Sequence, residues 1–322
     1  MSSVIIHGHF YQPPRENPWT GAIDREDSAR PFHDWNERIY SECYRANAFA
    51  RIVNGRGEIE HIVNNYANLN FNFGPTLMSW LEAAHPETCR RVVAADQLSQ
   101  HSHGRHGSAI AQAYNHAILP LCNQRDRRTQ IKWGIADFTH RFGRDPEAMW
   151  LPETACNDDT LGALIDAGLQ YVILSPHQAE RVRPIEANPN GAEWKSVADG
   201  SIDPRKPYEY FHRDGSKRSI AIFFYDDAVA RAIAFENLLW SSEALMDRLV
   251  RAAGDGAMVN VATDGESYGH HFKFGDRCLA YALEVEAPKR GITVTNYGEF
   301  LEQNPARDEV EIKPGPDGEG TA

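Results

Sequence analysis

Two acidic motifs, far apart in the chain, hold the residues best suited to chemistry: Trp150-Leu151-Pro152-Glu153 and Thr263-Asp264-Gly265-Glu266-Ser267-Tyr268-Gly269-His270-His271. Each follows an apolar run that reads as a buried strand, so each carboxylate is expected where a strand gives way to a loop. That rim is where a parallel α/β barrel keeps its reactive groups. A third motif, His7-Gly8-His9-Phe10-Tyr11-Gln12-Pro13-Pro14, follows an apolar start at Val4–Ile6 and offers imidazoles and the Gln12 amide to the same rim. Two carboxyl groups facing each other suit acetal cleavage: one attacks or activates water while the other protonates the departing oxygen. The acid of such a pair must hold its proton near neutral pH, which calls for partial desolvation or a neighbouring negative charge. Glu266, two residues from Asp264, is one candidate for that charge.

Other readings of the same residues stand beside this one. Glu153 alone also fits an acid that caps the following helix, and an Asp-Gly turn alone is common. The His7-x-His9 spacing suits zinc when combined with Asp264, His116 or His270. It equally suits hydrogen bonding to sugar hydroxyls, or a purely structural role. The His-rich stretch 101–106 is expected to be a solvated loop, and the mixed charges at 125–128 an exposed turn. No nucleophile elbow or phosphate-binding loop is present.

The formal charge of −12 argues against nucleic acid or an anionic membrane as partner, since both select a concentrated positive face. Aromatic residues make up 10 % of the chain, and many sit beside polar groups, as at Tyr11-Gln12, Asp34-Trp35, Tyr114-Asn115-His116 and Tyr225-Asp226. Ring faces beside hydrogen-bonding groups suit an oligo- or polysaccharide. The five scattered cysteines read as reduced packing residues, no signal peptide is visible, and no run approaches the roughly 18 apolar residues of a membrane helix. A cytoplasmic location is expected.

These residues need a frame to bring them together. Strand patterns at 3–7, 69–73, 148–151, 170–174, 219–225, 258–262 and 292–295 alternate with helical patterns at 35–53, 75–84, 158–167, 237–253 and 276–286. The alternation predicts βαβ units and an α/β fold, and the seven strand candidates suit a barrel with fewer than eight strands in one large domain over 1–305. Asn157 and Asp158 suit a helix start, and Gly168 a helix end. Residues 180–218, rich in Pro, Gly and charge, are expected to form an excursion over the rim, and residues 306–322 a polar disordered tail.

The four motifs, His7 to Pro14, Tyr114-Asn115-His116-Ala117-Ile118-Leu119-Pro120, Trp150 to Glu153 and Asp264 to Gly269, resemble those of glycoside hydrolase family 57. The likeness is closest to a bacterial branch that carries a further uncharacterised C-terminal domain, expected to be largely absent from this chain. The resemblance implies an incomplete (β/α)7 barrel and a retaining mechanism on α-glucans, of amylase, glucanotransferase or branching type, with no metal or cofactor. It implies Glu153 as nucleophile and Asp264 as general acid/base. His7, His9, His116, Trp150 and Glu266 would contact the sugar, with Gln12 and His271 from the first and last motifs as further substrate-binding candidates. The rival expectations are a metal-dependent polysaccharide deacetylase, drawing ligands from His7, His9, Asp264 and His270, and a catalytically silent glucan-binding module.

Overall fold

The stretch Ser3–Phe10 is buried on both faces almost throughout, as a central strand of a parallel sheet must be. It forms β1 in a computed structural model that describes residues 2–185 and 192–322. On one side β1 pairs with Met258–Asp264 and on the other with Asn70–Phe73, both parallel. With β2 at Asn70–Phe73, β3 at Ala111–Gln112, β4 at Met149–Trp150, β5 at Tyr171–Leu174, β6 at Ser219–Phe224 and β7 at Met258–Asp264, the strands form a curved sheet in the order β7-β1-β2-β3-β4-β5-β6. Among the described residues no ladder joins β6 to β7. The seam is crossed instead by the Asn260 side-chain amide donating to the Phe224 carbonyl at 3.0 Å, and by the Asp226 N–H donating to the Asn260 carbonyl at 2.8 Å. The frame is therefore an incomplete barrel of seven parallel strands.

Ile5, Trp150, Tyr171, Ile173 and Phe223 fill the barrel, and Tyr297 and Phe300, on the helix Tyr297–Gln303, pack against them from below. That helix is tied in place by the Tyr297 hydroxyl donating to the Asn260 side-chain carbonyl at 3.0 Å. A larger apolar layer lies between the strands and the outer helices. The helix Asp158–Asp166 begins where expected, the Asn157 side chain accepting the Thr160 N–H, and Gly168 follows its end with φ +81°. Among the described residues no helix is long and apolar enough to cross a membrane.

Several expectations need correction. The segment 292–295 contributes only Thr293–Val294, which pairs low on β1, and the seventh barrel strand is the two-residue β3. Helices Pro86–Ser102 and Gln124–Phe142 were not foreseen. Gly134 in the second must lack a side chain, because a Cβ there would lie 2.0 Å from the Gln112 carbonyl oxygen of β3. Arg127 is buried in that helix, donating to the Leu119 and Cys122 carbonyls. His103 and His106 are not solvated; they pair with Glu299 and Glu147, each at 2.7 Å.

The rim excursion continues the barrel sheet beyond β6. Ala179–Pro184, Lys195–Ser196 and Tyr208–Phe211 extend the β5-β6 edge, while residues 186–191 lie outside the described residues. The expected disordered tail supplies a strand to it: Asp308–Ile312 pairs antiparallel with Ala179–Pro184, with Glu309 on Arg183 at 2.6 Å and Glu311 on Arg181 at 2.5 Å. Further on, Thr321 and Cys156 exchange backbone hydrogen bonds of 2.9 and 3.0 Å, just past the Glu153 turn.

Candidate active site

Strand register assembles the first part of the site. On β1, His7 stands opposite Ala262 and Asn70, and His9 opposite Asp264 and Asn72. Side chains at paired positions share a face, so the alternation that points His7 inward also brings His9, Asn72 and Asp264 together. Asn72 organises this group. One assignment satisfies it: the His7 Nε2–H donates to the Asn72 carbonyl oxygen at 3.0 Å, and the Asn72 amide donates to His9 Nδ1 at 2.9 Å and to Gln112 Oε1 at 2.7 Å. His9 Nε2–H then donates to His116 Nε2 at 3.0 Å. Burial lowers the pKa of both His7 and His9 to about 3, with the neighbouring His116 further disfavouring a charge on His9, and burial lowers that of His116 as well, so this chain of imidazoles is neutral at pH 7. His9 and His7 stack on Trp150 at 5.1 and 4.8 Å, and Tyr11 on His116 at 3.9 Å.

The carboxylates arrive from either side. Glu153 follows β4 on a left-handed backbone, φ 56°, and Thr154 after it has φ 55°, a conformation L-residues adopt at a cost of about 1–3 kcal/mol each. Asp264 ends β7. The glycine after it is required, since a Cβ at Gly265 would lie 2.2 Å from the Phe10 ring. Below that turn Glu266 is buried, its carboxylate accepting the Tyr44 hydroxyl at 2.7 Å. Burial pushes the Glu266 pKa up to about 7, partly offset by that hydrogen bond and reinforced by the charge of Asp264. Asp264 is also held above the ordinary carboxylate value, first by desolvation; His271 opposes this and Glu153 adds to it. Glu153, rather than Glu266, is thus the negative neighbour that helps Asp264 keep its proton.

Two adjoining cavities share His9, Glu153 and Asp264 as their common wall. The polar one is completed by Tyr11, Gln12, Arg15, Trp35, His116, Glu266, His270 and His271. Trp150, Tyr225, Asp227, Arg231 and the exposed Phe235 line the other. Of the candidate residues, Glu153, Asp264, His9, Gln12, His116, Trp150, Glu266 and His271 all face one of these spaces. His7 does not: it is fully buried beneath Trp150 and Asn72, so its part is to hold Asn72. The Gln12 carbonyl accepts from Arg15 Nη2 at 3.0 Å, which fixes the amide at the cleft edge. Asn72 and Tyr44 were missed. The alternation Asn70-Phe71-Asn72-Phe73 was the available signal for Asn72, whereas nothing local marks Tyr44, which lies 222 residues from Glu266.

Known proteins share this frame. The chain is 20% identical over 274 residues to a 4-alpha-glucanotransferase of Thermococcus litoralis, matching 82% of this chain and 35% of that protein. A crystal structure of the 4-alpha-glucanotransferase from that organism superposes with a TM-score of 0.66 at 17% identity, covering 97% of this chain and 42% of the other. A branching enzyme of Pyrococcus horikoshii gives 0.62 at 16% identity, covering 97% and 72%. At these identities the structural likeness speaks for the fold, and the chain spans less than half the length of the glucanotransferase. A family model described as glycosyl hydrolase family 57 matches residues 37–313, and the chain belongs to that family.

Proposed function

We propose that the chain cleaves or transfers α-glucosidic bonds by a retaining mechanism, with Glu153 as nucleophile and Asp264 as general acid/base. The observation that carries this reading is the common wall: the two carboxylates, with His9, separate two cavities that together can hold the sugars on either side of one glycosidic bond. Glu153 attacks the anomeric carbon of the sugar in the polar cavity. Asp264, whose raised pKa favours its protonated form, gives its proton to the departing oxygen. The resulting carboxylate then takes a proton from water or from an acceptor hydroxyl, and that choice sets hydrolysis or transfer. Because Asp264 must begin protonated, turnover falls as pH rises through its raised pKa. His116, which keeps Nδ1 free among the described residues, and Gln12 suit sugar hydroxyls, and Trp150 and Tyr225 offer ring faces.

The deacetylase reading draws on His7, His9, His270 and Asp264. Here His7 and His9 are turned toward Asn72, and His270 is hydrogen-bonded to Glu42, so three of the four donors are engaged elsewhere. The test is a panel of maltooligosaccharides, glycogen and aryl α-glucosides, assayed with wild type, Glu153→Gln and Asp264→Asn. Chain shortening or disproportionation by wild type, abolished in both variants, is expected. Full activity in either variant would defeat the assignment.

A further inference from the structure

A third cavity shares only His270 with the cleft and differs from it in charge. Arg38, Arg45, Arg51, Lys273 and Arg277 line it, against the two carboxylates of Glu42 and Asp276, in a chain whose formal charge is −12. Arg38 is committed to Glu42 at 3.3 Å, and Glu42 also bonds His270. Among the described residues Arg45, Arg51, Lys273 and Arg277 have no ion-pair partner. Three of these lie over rings instead: Arg45 over Phe49 at 5.5 Å, and Arg277 and Lys273 over Phe274 at 4.7 and 5.1 Å. Asp276 is only 8% exposed; its carboxylate makes no hydrogen bond with another side chain among the described residues, and its charge is eased by Arg277, by the Arg277 backbone N–H and by Arg51.

These features select a ligand with two ends. Unpaired guanidinium groups match the oxygens of a phosphate, to which they donate in a fork. A carboxylate repels phosphate but accepts hydroxyl protons. An inorganic anion would leave the remaining acceptor capacity of the Asp276 carboxylate unused, and a neutral sugar would leave four cations without an anion. We infer that this cavity binds a sugar monophosphate, its phosphate on Arg45, Arg51, Lys273 and Arg277 and a sugar hydroxyl on Asp276. The site is separate from the cleft and does not depend on the chemistry proposed there.

Isothermal titration of the full chain with glucose 6-phosphate, inorganic phosphate and glucose tests this. Glucose 6-phosphate is expected to bind saturably and more tightly than either of the others. Replacing both Arg51 and Arg277 by Ala should weaken it at least about tenfold, since each removes a charge-assisted contact. Lys273→Ala, a change on an exposed side chain, should weaken it in the same direction. Asp276→Asn should narrow the margin over inorganic phosphate. Absence of saturable glucose 6-phosphate binding, binding unchanged in the Arg51/Arg277 and Lys273 variants, or inorganic phosphate bound equally well would each overturn the assignment.

Discussion

The two sides of the cleft are built in opposite ways. On the imidazole side, His7, Asn72, Gln112, His9 and His116 spend their hydrogen bonds on one another, and stacking on Trp150 and Tyr11 fixes the ring planes. On the carboxylate side, Glu153 and Asp264 are exposed toward the cavities and, among the described residues, neither makes a side-chain hydrogen bond to the protein. One side is fixed by its internal hydrogen bonds and stacking, with His7 Nδ1 and Gln112 Nε2 left without a partner among the described residues. The other is fixed by backbone, through the left-handed turn at Glu153 and the close packing of Gly265 on Phe10, which leaves the acids free for a substrate. Rigid neighbours and uncommitted acids are what a reaction between the two cavities requires.

The largest test of this contrast removes an uncommitted acid. Glu153→Gln and Asp264→Asn should each lower turnover by on the order of 10³-fold or more while leaving the melting temperature nearly unchanged. A large loss of stability in either would mean that the acid is structural. Next comes Glu266, the acid that is committed. Its pKa rises from 4.5 in the unfolded chain to about 7 in the fold, so the folded state holds the proton more tightly. Folding therefore carries no ionisation penalty below the unfolded value, acquires it as pH climbs through that window, and bears it in full above the folded value. Glu266→Gln removes the penalty, and should stabilise the protein by up to about 3 kcal/mol at pH 8 and by little at pH 4. Denaturant unfolding at the two pH values measures the difference, and an equal effect at both would contradict the buried, proton-holding state.

On the imidazole side, Asn72→Ala removes the partner of His7, His9 and Gln112 at once. It should cost about 2 kcal/mol of stability, because buried donors and acceptors are left unpaired, and should reduce activity through misplaced His9. An unaffected unfolding curve would show that water replaces Asn72. The smallest effect is expected at Thr154, whose left-handed backbone suits glycine. Thr154→Gly should change stability by less than about 1 kcal/mol, strain relief offsetting the lost side chain, whereas Gly265→Ala should be clearly destabilising.

The fold class was legible because parallel strands covered on both faces read as apolar runs, as at β1, β5, β6 and β7. The two-residue β3 was not, since Ala111–Gln112 has no pattern of its own and is a strand only through its neighbours. Pro86–Ser102 hides a narrow buried stripe under a charged surface. The strand Asp308–Ile312 looked disordered because its charges were read as solvated, whereas Glu309 and Glu311 pair with arginines on the adjacent strand. At the site, the carboxylates and His9 could be read from motifs at strand ends. Tyr44 could not, since its value lies in a contact that only the folded chain creates, and Asn72 showed only in the alternation of its strand.

The central claim is that Glu153 and Asp264 act across one cleft in distinct roles. It is tested most directly by trapping the reaction with a 5-fluoro-α-glucosyl fluoride and locating the added sugar by peptide mass spectrometry. The account predicts a label on the peptide carrying Glu153, stable in wild type and absent in Glu153→Gln. A label on Asp264 or Glu266, or turnover of the reagent to the inverted anomer with no label, would contradict it.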